Sequence, residues 1–253
     1  MKSTILKLVL LLTVISISAF AQTNEEQYAK ALKFKTAYNY KEALPLYQAL
    51  LKADSSNVSY LTGAAYVYVK YAFYYLPEAE KMNYYNIAGR LGQKAIKVND
   101  ASADAHYVYA MALGRIYENA SSKVKIANSK NIKTHIDKSI SLNPKIAGAY
   151  HILGRWHRTI AGFNGFEKAM INSFFGGVPE GGSYTDAVNS FMKAIALEPR
   201  FMLHQFELAE TYHEMGKDVE AKLWLKKALE LTPVCEDDIK AKKDCEALLK
   251  KLD

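Results

Sequence analysis

The sequence predicts an all-α fold: a right-handed superhelix of about five antiparallel helix pairs, carrying insertions and ending in a C-terminal capping helix. Three observations carry this expectation. The composition is rich in Ala, Leu, Lys and Glu and holds only six prolines in 253 residues, and no run alternates Val, Ile and Thr as a half-buried strand does. One kind of closing motif recurs: "QALLKADS", "KAIKVND", "KSISLNP", "KAIALEP" and "KALELTP". Small residues, above all alanine, recur at the positions where paired helices would cross, and this allows axes to approach to about 8–10 Å.

The chain begins with basic Lys2 and Lys7, an apolar run from Leu8 to Phe20 and small residues at Ala19 and Ala21. That pattern predicts a secretory signal peptide over residues 1–21, cleaved after Ala21. The apolar run falls short of the roughly 18–20 residues that cross a bilayer, and no later segment is apolar enough, so no membrane span is expected in the mature chain. The expected address is therefore exported, periplasmic or secreted, with residues 22–253 forming one helical repeat domain.

The last unit, residues 202–235, is the most regular. In "FELAETYHEMGKDVEAKLWLKKALELTP", Leu208, Ala209 and Tyr212 fall on one helix and Ala221, Leu225 and Ala228 on the next. Gly216 is expected to end the first helix in a left-handed conformation and Asp218 to cap the second. Pro233 then stops it. This is the tetratricopeptide repeat (TPR) pattern, and Pro199 stands 34 residues before Pro233, the TPR period. Earlier closing positions, Pro144, Asp100 and Ser55, lie 55, 44 and 45 residues apart, so three units carry insertions.

The remaining units follow in register. Residues 24–57 place Ala31, Phe34, Ala43 and Tyr47 at crossings, and residues 58–102 place Ala64, Ala65, Tyr68, Ala88 and Ala95. Residues 103–146 offer Ala105, Ala110 and Ser139; residues 147–201 offer Tyr150, Leu153, Gly154, Ala187, Phe191 and Ala194. The excesses of 10 and 11 residues in two units amount to about three helical turns, enough to lengthen both helices of a pair. The larger excess in the fourth unit holds "FEKAMINSFF", an expected extra amphipathic helix, and the break "FFGGVPEGGSY". Ser183, with Asp186 three residues on, is expected to cap the helix that follows. A capping helix over residues 237–252 covers the open apolar end of the stack.

Few chemistries have support. Gly176 to Ser183 lacks the lysine of a phosphate loop, because Gly182 stands in its place. The six histidines form no i, i+4 pair and no HExxH, so no metal site is expected. No catalytic residues and no cofactor are expected, and the chain is read as a non-enzyme. Cys235 and Cys245 are too far apart along a helix for a disulfide and read as buried free thiols. The net charge of +7 is mild and dispersed, which argues against a nucleic-acid partner. The tyrosine-rich run from Tyr60 to Tyr85 reads chiefly as packing, as do Trp156 and Trp224.

Residues 103–249 resemble the regulator of microtubule dynamics family. The resemblance lies in "NPKIAGAYHILGRWH", "IAGFN", "FFGGVP" followed by "SYTDAVNSFMKAIALEP", and "ETYHEMGKDVEAKLWLKKALELTP". It implies a TPR scaffold without catalytic residues. Animal members associate with microtubules or mitochondria, and one is linked to lipid exchange between organelles.

By analogy with TPR proteins, the first helix of each pair lines a concave groove. Transferred by register, the groove candidates are Tyr107, Met111 and Arg115, then His151, Arg155 and Arg158, then Phe206, Glu210 and His213. Arg155 and Arg158, i, i+3 neighbours, are expected either to hold a carboxylate or phosphate or to pair with acids on adjacent helices. The expected function is an exported, non-enzymatic TPR scaffold that binds a protein or peptide in its groove. A lipid or amphipath carrier is the alternative, and a microtubule-associated regulator is a further one.

Overall fold

A computed structural model describes residues 23–163 and 181–253, and these fold into eleven helices with no strand among them. In chain order they are α1 (residues 23–36), α2 (Tyr40–Ala53), α3 (Val58–Tyr75), α4 (Glu78–Val98), α5 (Ala103–Tyr117), α6 (Ser122–Leu142), α7 (Ala147–Ala161), α8 (Tyr184–Leu197), α9 (Met202–Glu214), α10 (Asp218–Leu229) and α11 (Glu236–Leu252). From α2 onward each helix packs on the next, and the odd-numbered helices α3, α5, α7, α9 and α11 also pack on one another in sequence. This is the TPR-like superhelix the sequence predicts, with the odd helices on its inner face. The insertion expected at 166–174 and the glycine break up to Glu180 lie outside the described residues.

The excess length of the second and third units goes into the helices themselves. Helices α3 and α4 have 18 and 21 residues and α5 and α6 have 15 and 21, against 13 and 12 in the regular pair α9–α10. The connections between units repeat instead. Helices α2, α4, α6 and α8 end in extended-like caps at Asp54, Asn99, Asn143 and Glu198, each amide donating to the carbonyl four residues back. The side chains of Asp54, Asn99 and Asn143 then accept the amide two residues on at 2.8, 3.0 and 3.0 Å. Short Asx residues thus turn the chain at each of these joints, because their oxygens satisfy donors that the helix leaves behind.

Local punctuation largely follows expectation. Gly216 ends α9 at φ +72°. Ser183 caps α8: it accepts the amide of Asp186 and donates its hydroxyl to the Asp186 carboxylate. Asp218 is instead the first helical residue of α10, and its carboxylate lies 2.7 Å from His213 Nδ1. Cys235 and Cys245 are both buried free thiols.

The expected crossing alanines are buried: Ala31, Ala43, Ala64, Ala65, Ala88, Ala95, Ala105, Ala110, Ala187, Ala194, Ala209, Ala221 and Ala228 lose nearly all exposure, whereas Phe34, Tyr150 and Leu153 are half-buried. Two glycines mark close approaches. A Cβ on Gly154 would meet the buried Phe191 ring at 2.8 Å, and one on Gly92 would meet the backbone Cα of Tyr109 at 2.9 Å. The ring is a side chain and can shift without backbone movement; the Cα moves only if α4 and α5 separate. Gly92→Val is therefore expected to cost about 1–3 kcal/mol in chemical denaturation, the range for overpacking a dense interface. An unchanged midpoint would show that this crossing is loose.

Candidate functional site

The inner face of the superhelix is a half-open groove. At its far end α11 returns to α3: Lys70 Nζ lies 2.7 Å from Asp237 Oδ2, the Tyr74 hydroxyl bonds the same carboxylate, and the Tyr75 hydroxyl lies 3.4 Å from Glu236. Both members of the Lys70–Asp237 pair are largely buried. Asp238, the next residue, accepts the amides of Met202 at 2.8 Å and Val234 at 3.1 Å and so ties α11 to the start of α9. Burial raises the Asp238 carboxyl above the ordinary aspartate value despite those amides. Residues 167 apart in sequence thereby meet, and the groove becomes a cavity of about 640 Å³.

The cavity wall is assembled from α1, α3, α5, α6, α7, α9 and the first turn of α11. Its apolar part includes Val69 and Phe73 on α3, Met111 on α5, Ile126 and Ile132 on α6, Ile152, Trp156 and Ile160 on α7, and Leu203 on α9. Trp156 is fixed by an indole N–H donated to the Ser129 carbonyl at 3.0 Å. The polar part includes Lys35, Tyr66, Lys70, Tyr107, His151, His204, Glu198 and Asp237.

The two imidazoles form a pair, with His151 Nδ1 3.0 Å from His204 Nδ1 and His204 Nε2 3.3 Å from Glu198 Oε2. Burial first, then the fields of His204, Arg155, Lys70 and Arg115, hold His151 well below the ordinary histidine value, so it is neutral. Among the described residues neither ring hydrogen-bonds a serine or threonine, and neither cysteine lines the cavity. The arrangement supplies an apolar body with imidazole, phenol, carboxylate and ammonium groups set into its wall.

Of the nine candidates read from the sequence, five line this cavity: Tyr107, Met111, Arg115, His151 and Arg155. The other four face elsewhere. Arg158 turns to α9, with Glu207 at 2.5 Å, Glu210 at 2.8 Å and Glu214 at 3.5 Å. Glu210 is consumed in that cluster; burial raises its carboxyl and Arg158 opposes the shift. Phe206 packs into the core shared by α9, α10 and α11. His213 is held by Asp218.

Arg155 is engaged too, by Glu118 at 3.2 Å and Glu207 at 3.7 Å, while Arg115 meets Glu118 at 2.8 Å. Burial works to raise Glu118 and Glu207, but the arginines outweigh it and hold both carboxyls below the ordinary glutamate value. The Arg155–Arg158 pair is thus taken up by acids on adjacent helices.

Sequence reasoning missed Lys35, Lys70, His204 and Asp237. One signal was present. Lys70 is the lone charge in "YLTGAAYVYVKYAFYY", where an ammonium needs a partner to be buried.

A family model, Regulator of microtubule dynamics protein 1-3, matches residues 27–253. The chain belongs to this family. Regulator of microtubule dynamics protein 3 of Bos taurus is 32% identical over 173 residues, covering 68% of this chain and 36% of the bovine protein. Regulator of microtubule dynamics protein 1 of Bos taurus is 29% identical over 222 residues, covering 87% of this chain and 66% of that protein. The chain thus spans about a third of the length of its regulator 3 relatives. A thermophilic TPR protein of Thermus thermophilus superposes with a TM-score of 0.62 at 19% identity, covering 89% of this chain and 99% of that one, which supports the TPR fold.

These family relatives are animal proteins named for microtubule dynamics, not periplasmic ones, and they overturn the exported, periplasmic or secreted address expected from residues 1–21. Residues 1–22 lie outside the described residues and supply no structural sign of a signal peptide. A basic start before an apolar run is a feature of composition, and composition alone does not fix an address. Among the described residues no helix is long and apolar enough to cross a membrane. The TPR architecture is one suited to protein or peptide binding.

Proposed function

We propose that this protein is a non-enzymatic TPR scaffold whose inner cavity holds an amphipathic, lipid-like ligand. The observation that supports this most is the Lys70–Asp237 contact, which turns the groove into a walled space of about 640 Å³ with an isoleucine-rich side. A volume of that size lies within the range for small-molecule sites, which are mostly apolar with a few placed polar groups. The arginines expected to select a peptide's charge are already bound to Glu118, Glu207 and Glu210.

Gly114 provides the test. It lines the cavity, and a Cβ there meets nothing within 4 Å. Gly114→Phe is expected to place a ring in open space, to raise helix propensity by a few tenths of a kcal/mol, and to lower the affinity for a fluorescent fatty-acid analogue at least about tenfold. Undiminished binding by a folded Gly114→Phe variant rules the cavity out.

A protein or peptide partner is the second reading, favoured by the TPR fold itself. Capture of a partner that survives Gly114→Phe would support it. A role at microtubules is the reading carried by the relatives' names, and co-sedimentation with polymerised tubulin tests it.

A further inference from the structure

The cavity's charged groups are unevenly committed. Three acids line it: Glu118 holds Arg115 and Arg155, Asp237 holds Lys70, and Glu198 has a hydrogen-bond contact with the His204 imidazole and, among the described residues, no lysine or arginine partner. Lys35, in the last turn of α1, has no acid within ion-pair distance among the described residues. Its ammonium lies 5.5 Å from the centroid of the Tyr66 ring, and the Lys70 ammonium lies 5.8 Å from the centroid of that same ring. Tyr66 in turn neighbours Tyr107, with centroids 6.4 Å apart. Lys35 and Lys70 thus lie beside Tyr66 and Tyr107 on the α1–α3–α5 side, which also carries Val69, Phe73 and Met111, while the isoleucines and Trp156 occupy the α6–α7 side.

Resting on the amphipath reading, we infer that Lys35 seats a singly charged oxyanion head, with the ligand's apolar chain directed toward α6 and α7. Lys70 is paired with Asp237, so a head seated beside Tyr66 meets one ammonium that has no ion-pair partner among the described residues and a second that already has its counter-ion, and Glu198 on the same wall limits the head to a single negative charge. Tyr66 orients Lys35 through its ring face, a contact that strengthens when water is excluded. Burial pulls the Lys35 pKa below the ordinary lysine value, opposed by the field of Asp104, as befits an ammonium short of a counter-ion. Lys125 and Lys145 also line the cavity, but toward α6 and α7 and without a tyrosine platform. They are the competing positions.

The experiment compares laurate, 1-dodecanol and dodecylammonium, equal in chain length and different in head charge, as competitors of a fluorescent fatty-acid analogue bound to the full chain. Laurate is expected to bind about tenfold or more tighter than dodecanol, the scale of one charge-assisted contact, and dodecylammonium more weakly than either. Lys35→Met keeps most of the apolar stem; it is expected to erase the laurate preference while leaving dodecanol affinity and melting temperature unchanged, and Lys35→Arg to retain the preference. Lys125→Met is expected to leave the laurate preference over dodecanol in place. Equal binding of laurate and dodecanol by the wild type, or a preference that survives Lys35→Met or vanishes with Lys125→Met, overturns the assignment. Failure of all three compounds to bind removes the amphipath reading itself and with it this site.

Discussion

Arg158→Met is expected to lower the free energy of unfolding by about 3–5 kcal/mol, the usual result of removing one member of a buried ion pair. Arg158 and Glu207 are both nearly buried, and the guanidinium also serves Glu210 and Glu214. Methionine fills similar volume but leaves three carboxylates facing one another, with Arg155 at 3.7 Å as the remaining cation near Glu207. The pH dependence follows from the direction of the Glu207 shift. Its folded carboxyl lies below the ordinary 4.5, so its contribution is complete above that value and is lost as pH falls through the depressed one. In the variant, burial acts on Glu207 with less opposition, and protonation relieves the defect. The gap between wild type and Arg158→Met in urea titrations is therefore expected to narrow from about pH 7 toward about pH 4. A loss below about 1 kcal/mol would place the arginine among weak surface pairs instead. The double variant Arg158→Met/Glu207→Gln is expected to recover part of the stability, because it removes the stranded charge.

Lys70→Met is expected to cost a similar amount, about 3–5 kcal/mol, by stranding Asp237 with the Tyr74 hydroxyl in a buried setting. Burial works to lower the Lys70 pKa, yet Asp237 beside it prevails and raises it above the ordinary 10.5. The sign is the reverse of the glutamate case: the stabilisation is complete below about pH 10.5 and disappears as pH climbs through the elevated value. A second measurement separates this pair from an ordinary packing defect. Amide exchange should accelerate in the first turns of α11 and in α3 around Lys70, while the Asp54, Asn99 and Asn143 turns stay protected. Exchange that rises evenly along the chain would mean the contact does not hold α11 in place.

The fold was legible because it is made of local, repeated decisions. Alanine at crossings, Pro144, Pro199 and Pro233 after closing helices, Gly216 in a left-handed turn and Ser183 at a cap each act within a few residues. A spacing of 44 or 45 between closing positions likewise translated directly into longer helices. The site was legible only in part. Register placed Tyr107, Met111, Arg115, His151 and Arg155 on the inner face, since helical periodicity fixes which side a residue takes. It said nothing of Glu118 and Glu207, which claim the arginines, because a partner on another helix leaves no periodic trace. Asp218 shows the same limit on a smaller scale, as His213 across the turn takes the carboxylate expected at the cap. Nor does any spacing in the chain announce that residue 237 will meet residue 70.

Most solenoids behave as rows of dominoes, each repeat leaning only on its neighbours, so that either terminus can melt while the middle stands. The bond between Lys70 and Asp237 gives this row a clasp. Loosening the second unit then removes one restraint on the last helix directly, without passing through the repeats between them, and a change in α3 is felt at the far end of the row.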